Sequence, residues 1–248
     1  MLAVAAPLVV LTARVSAAPD VAPNTAPDTT VSTPVAPKPL PFEKEIVAFE
    51  TQDTKTPPPQ NAILFIGSSS IRGWKTLAAD FPNHAVINRG FGGSQLADSV
   101  RYVPRIVWPY KPRMVLLYAG DNDLAAGKTA EKVESDWIEF VKVVREKLPD
   151  APIAFIAIKP SPSRVKLMPK ALEANARIKK WIEDNPQSKG VYIDIWTPML
   201  NAEGKPHEEL FGKDMLHMKR EGYTLWTQIV APFLPPGDIA KVEAADAK

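Results

Sequence analysis

The sequence predicts an α/β protein: a three-layer α/β/α sandwich around a parallel sheet of about five strands. Two observations predict it. Apolar runs of strand length, nearly continuous in hydrophobicity, recur after Asn61, and such runs fit strands buried on both faces. Between them lie stretches whose apolar residues return at helical spacing, and alternating β and α elements build a parallel sheet covered by helices.

The strand candidates, in order, are 62–67 (AILFIG), 85–88 (AVIN), 114–119 (MVLLYA), 153–158 (IAFIAI) and 191–195 (VYIDI). A helix is expected over 131–148, where Val133, Trp137, Phe140, Val141 and Val144 share a face. Another is expected over 169–183, with Leu172, Ala176, Ile178 and Ile182 as its apolar positions, and a last one over about 219–233. Trp74, Trp108, Trp196 and Trp226 read as core or pocket wall. No internal repeat is visible.

Ahead of this domain the composition differs. Eleven of the 26 prolines precede Asn61. Residues 1–18 have the apolar run and small-residue Val15-Ser16-Ala17 end of a signal peptide, although no Lys or Arg precedes the run. The alternative is an Ala-rich tail. The run is too short to span a bilayer. Residues 19–60 read as a Pro/Ala/Thr-rich tether with a short helix at 43–51. The domain is expected over 61–235 and a disordered tail over 236–248. A leader and tether without cysteine fit a periplasmic or secreted protein.

Composition narrows the chemistry. The chain has 248 residues, 45% hydrophobic and 23% charged, with a net charge of +2. A nearly neutral balance gives no sign of a nucleic-acid or membrane-surface partner. The absence of cysteine excludes disulfides, thiol catalysis and Cys-ligated metal. Histidine chemistry has only His84, His207 and His217 to use.

Ligands of open parallel sheets bind beyond the carboxyl ends of the strands, so the residues following each strand matter most. They read Gly67-Ser68-Ser69-Ser70-Ile71-Arg72-Gly73-Trp74, then Asn88-Arg89-Gly90-Phe91-Gly92-Gly93-Ser94, then Gly120-Asp121-Asn122-Asp123, and finally Asp214-Met215-Leu216-His217. Together they supply a hydroxyl, an imidazole with a carboxylate three residues before it, glycine N–H groups and an amide donor. That is the inventory of serine acyl transfer: a base to activate the hydroxyl, an acid to hold the base, donors for the oxyanion. His84 precedes a strand and His207 sits in a polar loop. Arg72 is either a substrate contact or a solvated surface cation.

Three other motifs fail on spacing. Gly127-Lys128-Thr129 lacks the first P-loop glycine, because Asn122 stands there. Gly90-x-Gly92 lacks the third dinucleotide-loop glycine, which falls on Gln95. A Gly-x-Ser-x-Gly elbow is absent, because Ile71 occupies its second glycine position. No metal cluster is apparent.

In this order and at these spacings the four segments resemble blocks I, II, III and V of the SGNH (GDSL-type) hydrolase superfamily, from about Asn61 to about Phe233. The first block matches at Gly67, Gly73 and Trp74, and the second at Asn88, Gly90 and Gly93. Gly120, Asn122 and Asp123 match the third, and Asp214, Leu216 and His217 the fifth. The resemblance implies a cofactor-free esterase with Ser69 as nucleophile, His217 as base, Asp214 as its orienting acid, and Ser69, Gly93 and Asn122 as the oxyanion hole. One residue departs: the Asp of Gly-Asp-Ser is Ser68 here, a residue still able to make a local hydrogen bond. If the register shifts by one, Ser68 or Ser70 is the nucleophile instead. The implied substrate is a small-molecule, lipid or carbohydrate acyl ester. Carbohydrate O-deacetylase, lysophospholipase and a non-catalytic binding module are the alternatives.

Overall fold

A computed structural model of the chain describes residues 40–237. The expected leader, the tether up to residue 39 and the tail from residue 238 lie outside the described residues. The elements run α1 (Glu43–Lys55), β1 (Ile63–Gly67), α2 (Ser69–Arg72), α3 (Leu77–Asp80), β2 (Val86–Gly90), α4 (Leu96–Ile106) and β3 (Met114–Tyr118). They continue as α5 (Asp121–Ala125), α6 (Ala130–Arg145), β4 (Ile153–Ile156), α7 (Met168–Asp184), β5 (Gly190–Ile193) and α8 (Arg220–Val230).

The five strands form one parallel sheet in the order β2-β1-β3-β4-β5. Every residue of β1, β3 and β4 is buried, which is why those runs are apolar without interruption. The edge strands β2 and β5 keep half-buried positions. Side chains alternate across the sheet. Leu64, Ile66, Val115, Leu117 and Phe155 pack with Tyr102, Val103, Trp137, Phe140 and Ile178 of α4, α6 and α7. Ile63, Phe65, Met114, Leu116 and Ile156 pack with Trp74, Leu77, Phe81, Trp226 and Val230 on the other face. The layers are those the sequence predicts.

Several boundaries differ from expectation, each for a local reason. The apolar run of β4 continues to Ile158, but the strand ends at Ile156. There the Asn175 side chain takes over the pairing, accepting from Ile158 N at 2.8 Å and donating to Ile158 O at 3.0 Å. The same residue lies on the buried face of α7. That face is Ala171, Ala174, Asn175, Ile178 and Ile182, whereas Leu172, expected inside, is 53% exposed. The helix α4 is not among the expected elements; it carries Pro104 near its C-terminal end, and Leu96, Ser99, Tyr102, Val103 and Ile106 form its buried face.

The helix expected at 43–51 extends to Lys55. Ile46 is fully buried on the α4 side of the sheet, a burial worth about 2 kcal/mol. Arg105 of α4 meets Glu43 and Glu50 at 2.7 Å each, and Asp53 meets Arg89 at 2.5 Å. The half-exposed Arg105 pairs add only a few tenths to about 1 kcal/mol apiece.

On the opposite face Asp80 ties α3 to α8. It accepts from Trp74 Nε1 at 2.7 Å, Thr76 Oγ1 at 2.8 Å and Arg220 Nη1 at 2.7 Å. Burial raises its carboxyl, but these donors outweigh burial and hold it at about 2, below its ordinary 3.8. A depressed carboxyl stabilises the fold above its unfolded value and loses that contribution as pH falls through the folded one. Asp80→Asn is therefore expected to destabilise the protein by about 1–3 kcal/mol at neutral pH. Thermal melts from pH 7 to pH 2 should show the deficit fully present down to about pH 4 and fading towards pH 2. A deficit that grows on acidification would contradict the assignment.

Candidate active site

The site begins where β1 ends. Gly67 has φ +137°, and a Cβ there would lie 1.9 Å from Tyr118 O, so β1 can approach β3 this closely only at glycine. Ser68 N donates to Tyr118 O at 3.0 Å, and Phe91 N to Gly67 O at 2.8 Å. The chain then turns directly into α2, with Ser69 as its first residue. The next loop lies against that turn. Asn88 Nδ2 donates to Ile71 O at 2.7 Å, and Gly90 N donates to Asn88 Oδ1 at 2.9 Å. A Cβ at Gly90 would meet Arg72 N at 2.1 Å.

The three consecutive serines separate by environment. Ser68 is fully buried, and its hydroxyl has no hydrogen-bond partner among the described residues; the local bond expected of it is not made. Ser70 is buried too, its Oγ 3.2 Å from Lys159 Nζ. Ser69 is partly exposed, and its Oγ lies 3.0 Å from His217 Nε2.

His217 and Asp214 belong to a loop closed by the antiparallel bridge Phe211–Met218 and by Gly212 N donating to His217 O at 2.8 Å. Met215 takes φ +53° between them. Asp214 Oδ1 accepts Leu216 N at 3.0 Å and His217 N at 2.9 Å, while Oδ2 lies 2.5 Å from His217 Nδ1. The His217 ring first, then the two N–H groups, hold the Asp214 carboxyl well below the usual carboxylate range. Both side chains are about half exposed. With Nδ1–H donating to Asp214, Nε2 is left to accept the Ser69 hydroxyl proton.

Three further donors belong to the segments at this sheet edge. The N–H groups of Ser69 and Gly93 enter no hydrogen bond among the described residues. Gly93 has φ +83° and open space around it. Asn122 Nδ2 donates one hydrogen to Ser94 O at 3.0 Å and has a second to give. Asp123 is structural: wholly buried, it accepts Leu96 N at 3.0 Å and Lys128 Nζ at 2.8 Å. Burial raises its carboxyl despite Lys128. Lys128 thus serves an ion pair, and Thr129 caps α6 by accepting Lys132 N at 3.2 Å, which accounts for the P-loop-like Gly-Lys-Thr.

Sequence reasoning missed Lys159, Arg164 and Asp121, which lie behind these loops. For Asp121 and Lys159 a signal is present: each is a charged residue within two positions of the end of a strongly apolar run. Arg72 is exposed, with its guanidinium against Gly92. A groove of about 400 Å³ is lined by Ser69, Arg72, Gly73, Lys75, His217, Met218 and Tyr223. A larger hollow of about 780 Å³, around Trp108 and Pro149, precedes β3 and β4 at the opposite edge and has no serine, threonine or histidine in its walls. His84 meets Pro235 O at 3.0 Å and His207 meets Glu209 at 2.7 Å, both away from Ser69. Among the described residues no group of three or more His, Asp or Glu side chains could hold a metal ion, and no helix is long and apolar enough to cross a membrane.

The profile of the GDSL-like lipase/acylhydrolase family matches residues 63–225. The chain is 26% identical over 188 residues to platelet-activating factor acetylhydrolase IB subunit alpha1 of Bos taurus, covering 69% of this chain and 73% of that protein. The Homo sapiens subunit matches to the same extent, with 74% of its length covered. Among solved structures, a GDSL-like lipase from Bacteroides thetaiotaomicron superposes with a TM-score of 0.66 at 20% identity, over 76% of this chain and 96% of that one.

The contact at Gly90 makes a direct prediction. Gly90→Ala should push α2 away from the second loop and cost about 2 kcal/mol or more. A serine-directed fluorophosphonate should then label Ser69 at least about tenfold more slowly, because the Ser69–His217 bond stretches. Labelling at the normal rate in a folded variant would show that the packing does not set that distance.

Proposed function

Because the chain belongs to the GDSL-like lipase/acylhydrolase family, we propose that it is a serine esterase that hydrolyses carboxylic esters through an acyl-enzyme on Ser69. The observation that carries this reading is the continuous relay from Asp214 through His217 to Ser69, at 2.5 and 3.0 Å.

Each step follows from that relay. Ser69 Oγ attacks the ester carbonyl carbon while His217 Nε2 takes its proton. Asp214 holds the ring in the tautomer that leaves Nε2 free and stabilises the imidazolium that forms. The carbonyl oxygen becomes an oxyanion, for which Ser69 N–H, Gly93 N–H and the second hydrogen of Asn122 Nδ2 are the available donors, each worth about 3 kcal/mol of barrier. As the tetrahedral centre collapses, the ester C–O bond breaks and His217 returns its proton to the departing alkoxide. Water, deprotonated by His217, then attacks the acyl carbon and regenerates Ser69. The acetylhydrolase relatives favour a short acyl group, and acetyl esters are the first substrates to try.

Ser69→Ala is expected to lower kcat on 4-nitrophenyl acetate by at least about 10⁴-fold, and Asn122→Ala by about 10²–10³-fold. A Ser69→Ala enzyme with normal turnover would sink the assignment. The pH profile has a set form. His217 must be neutral to accept a proton, so kcat/KM rises with pH. Asp214 is held below its ordinary range and stays ionised throughout that rise. The acid limb should have a slope of one; a slope of two would mean that Asp214 titrates with the base.

A further inference from the structure

The stretch from Lys159 to Arg164 has no part in the proton relay, yet it touches the two segments that supply it and the segment that carries Asn122. Lys159 Nζ lies 3.2 Å from Ser70 Oγ, beside the proposed nucleophile, and 3.1 Å from Tyr118 OH. Ser163 N donates to Met215 O at 3.0 Å, within the Asp214–His217 loop. Arg164 Nη2 donates to Asn122 Oδ1 at 2.9 Å. Lys159 Nζ and Arg164 Nη1 share one anchor, each 3.2 Å from Asp121 Oδ2, which is 5% exposed. Burial alone would raise the Asp121 carboxyl, but the two cations hold it below its ordinary value.

The Arg164–Asn122 contact has a definite consequence. A carboxamide presents similar shapes when its oxygen and nitrogen exchange places, so sterics alone orient it poorly. Here Nδ2 faces the Ser94 carbonyl, which only accepts, and Oδ1 faces a guanidinium, which only donates. The flipped amide would set oxygen against oxygen and N–H against N–H. Ser94 and Arg164 together admit one orientation, the one in which Nδ2 has a hydrogen left to give. A cation on Oδ1 also polarises the amide and strengthens that hydrogen as a donor.

The geometry points to Arg164 as a positioning residue that locks the Asn122 amide for oxyanion stabilisation, with Asp121 as the anchor that holds the guanidinium in place. This inference rests on the proposed role of Asn122.

The test is a double-mutant cycle on 4-nitrophenyl acetate, with thermal midpoints measured alongside. Arg164→Ala is expected to lower kcat by about tenfold or more while KM moves by less than about threefold. In an Asn122→Ala background the same change should cost less than about threefold, because the group it positions is gone. Arg164→Lys separates positioning from folding. It restores a charge opposite Asp121, but a point donor cannot hold Asp121 and Asn122 in the planar fork. Its melting temperature should return to within about 2 °C of the parent while kcat stays low. Losses that multiply in the double variant, or a kcat that recovers in Arg164→Lys along with the melting temperature, would overturn the inference and leave the esterase intact. Asn122→Ala with unchanged kcat would overturn the premise itself.

Discussion

The close approach of β1 to β3 at Gly67 is the constraint on which the site depends. Strand order reverses between these neighbours, one connection running out to β2 and the other to β4. A crevice opens at such a point in a doubly wound sheet. Register places Gly67 opposite both Gly90 and Tyr118, so the loops that follow begin level with one another. Because Gly67 has no Cβ, the backbone passes against Tyr118 and turns at once into α2. Ser69 is thereby delivered beside the Asn88–Ser94 loop and across from Asn122. A side chain at Gly67 would have to displace the backbone of a central strand.

Two different strategies hold the polar groups around that crevice. Asp214 and His217 are half exposed, where a lone ion pair contributes little. Their geometry is fixed by covalent proximity and the backbone: an Asp three residues ahead of a His, a loop closed at Phe211–Met218, and two N–H groups on one carboxylate oxygen. Behind the loops the opposite holds. Asp121, Lys159 and Asp123 are almost without solvent, so each charge needs a close partner. These buried pairs fasten Ser70, Asn122 and the α4 N-terminus to one another. An exposed pair held by its own backbone thus stands on a buried, ion-paired base.

Much of this was legible in the sequence because it is periodic or local. The fully buried strands show as unbroken apolar runs, and α6 shows as a regular stripe. The Asp-x-x-His spacing is set within one loop. What escaped depends on side chains that replace or break regular patterns. Asn175 looks like a polar interruption of α7, yet it lies on the buried face and completes the pairing of Ile158, while Leu172 lies on the exposed face. Ser68 looks like a turn residue free to bond locally, yet its buried hydroxyl has no partner among the described residues.

The sequence by itself determined the class of fold, the order of the strands along the chain, and the residue types available for chemistry: with no cysteine and three histidines, few nucleophile–base pairs were open. Only the tertiary structure decided which of three adjacent serines faces the imidazole, since successive residues of one short turn point in different directions. It also decided that Lys159 and Arg164 converge on Asp121. The chain separates Asp121 from Lys159 by 38 positions, and no periodicity in the sequence encodes a contact made when β3 and β4 pair and their following loops meet over one sheet edge.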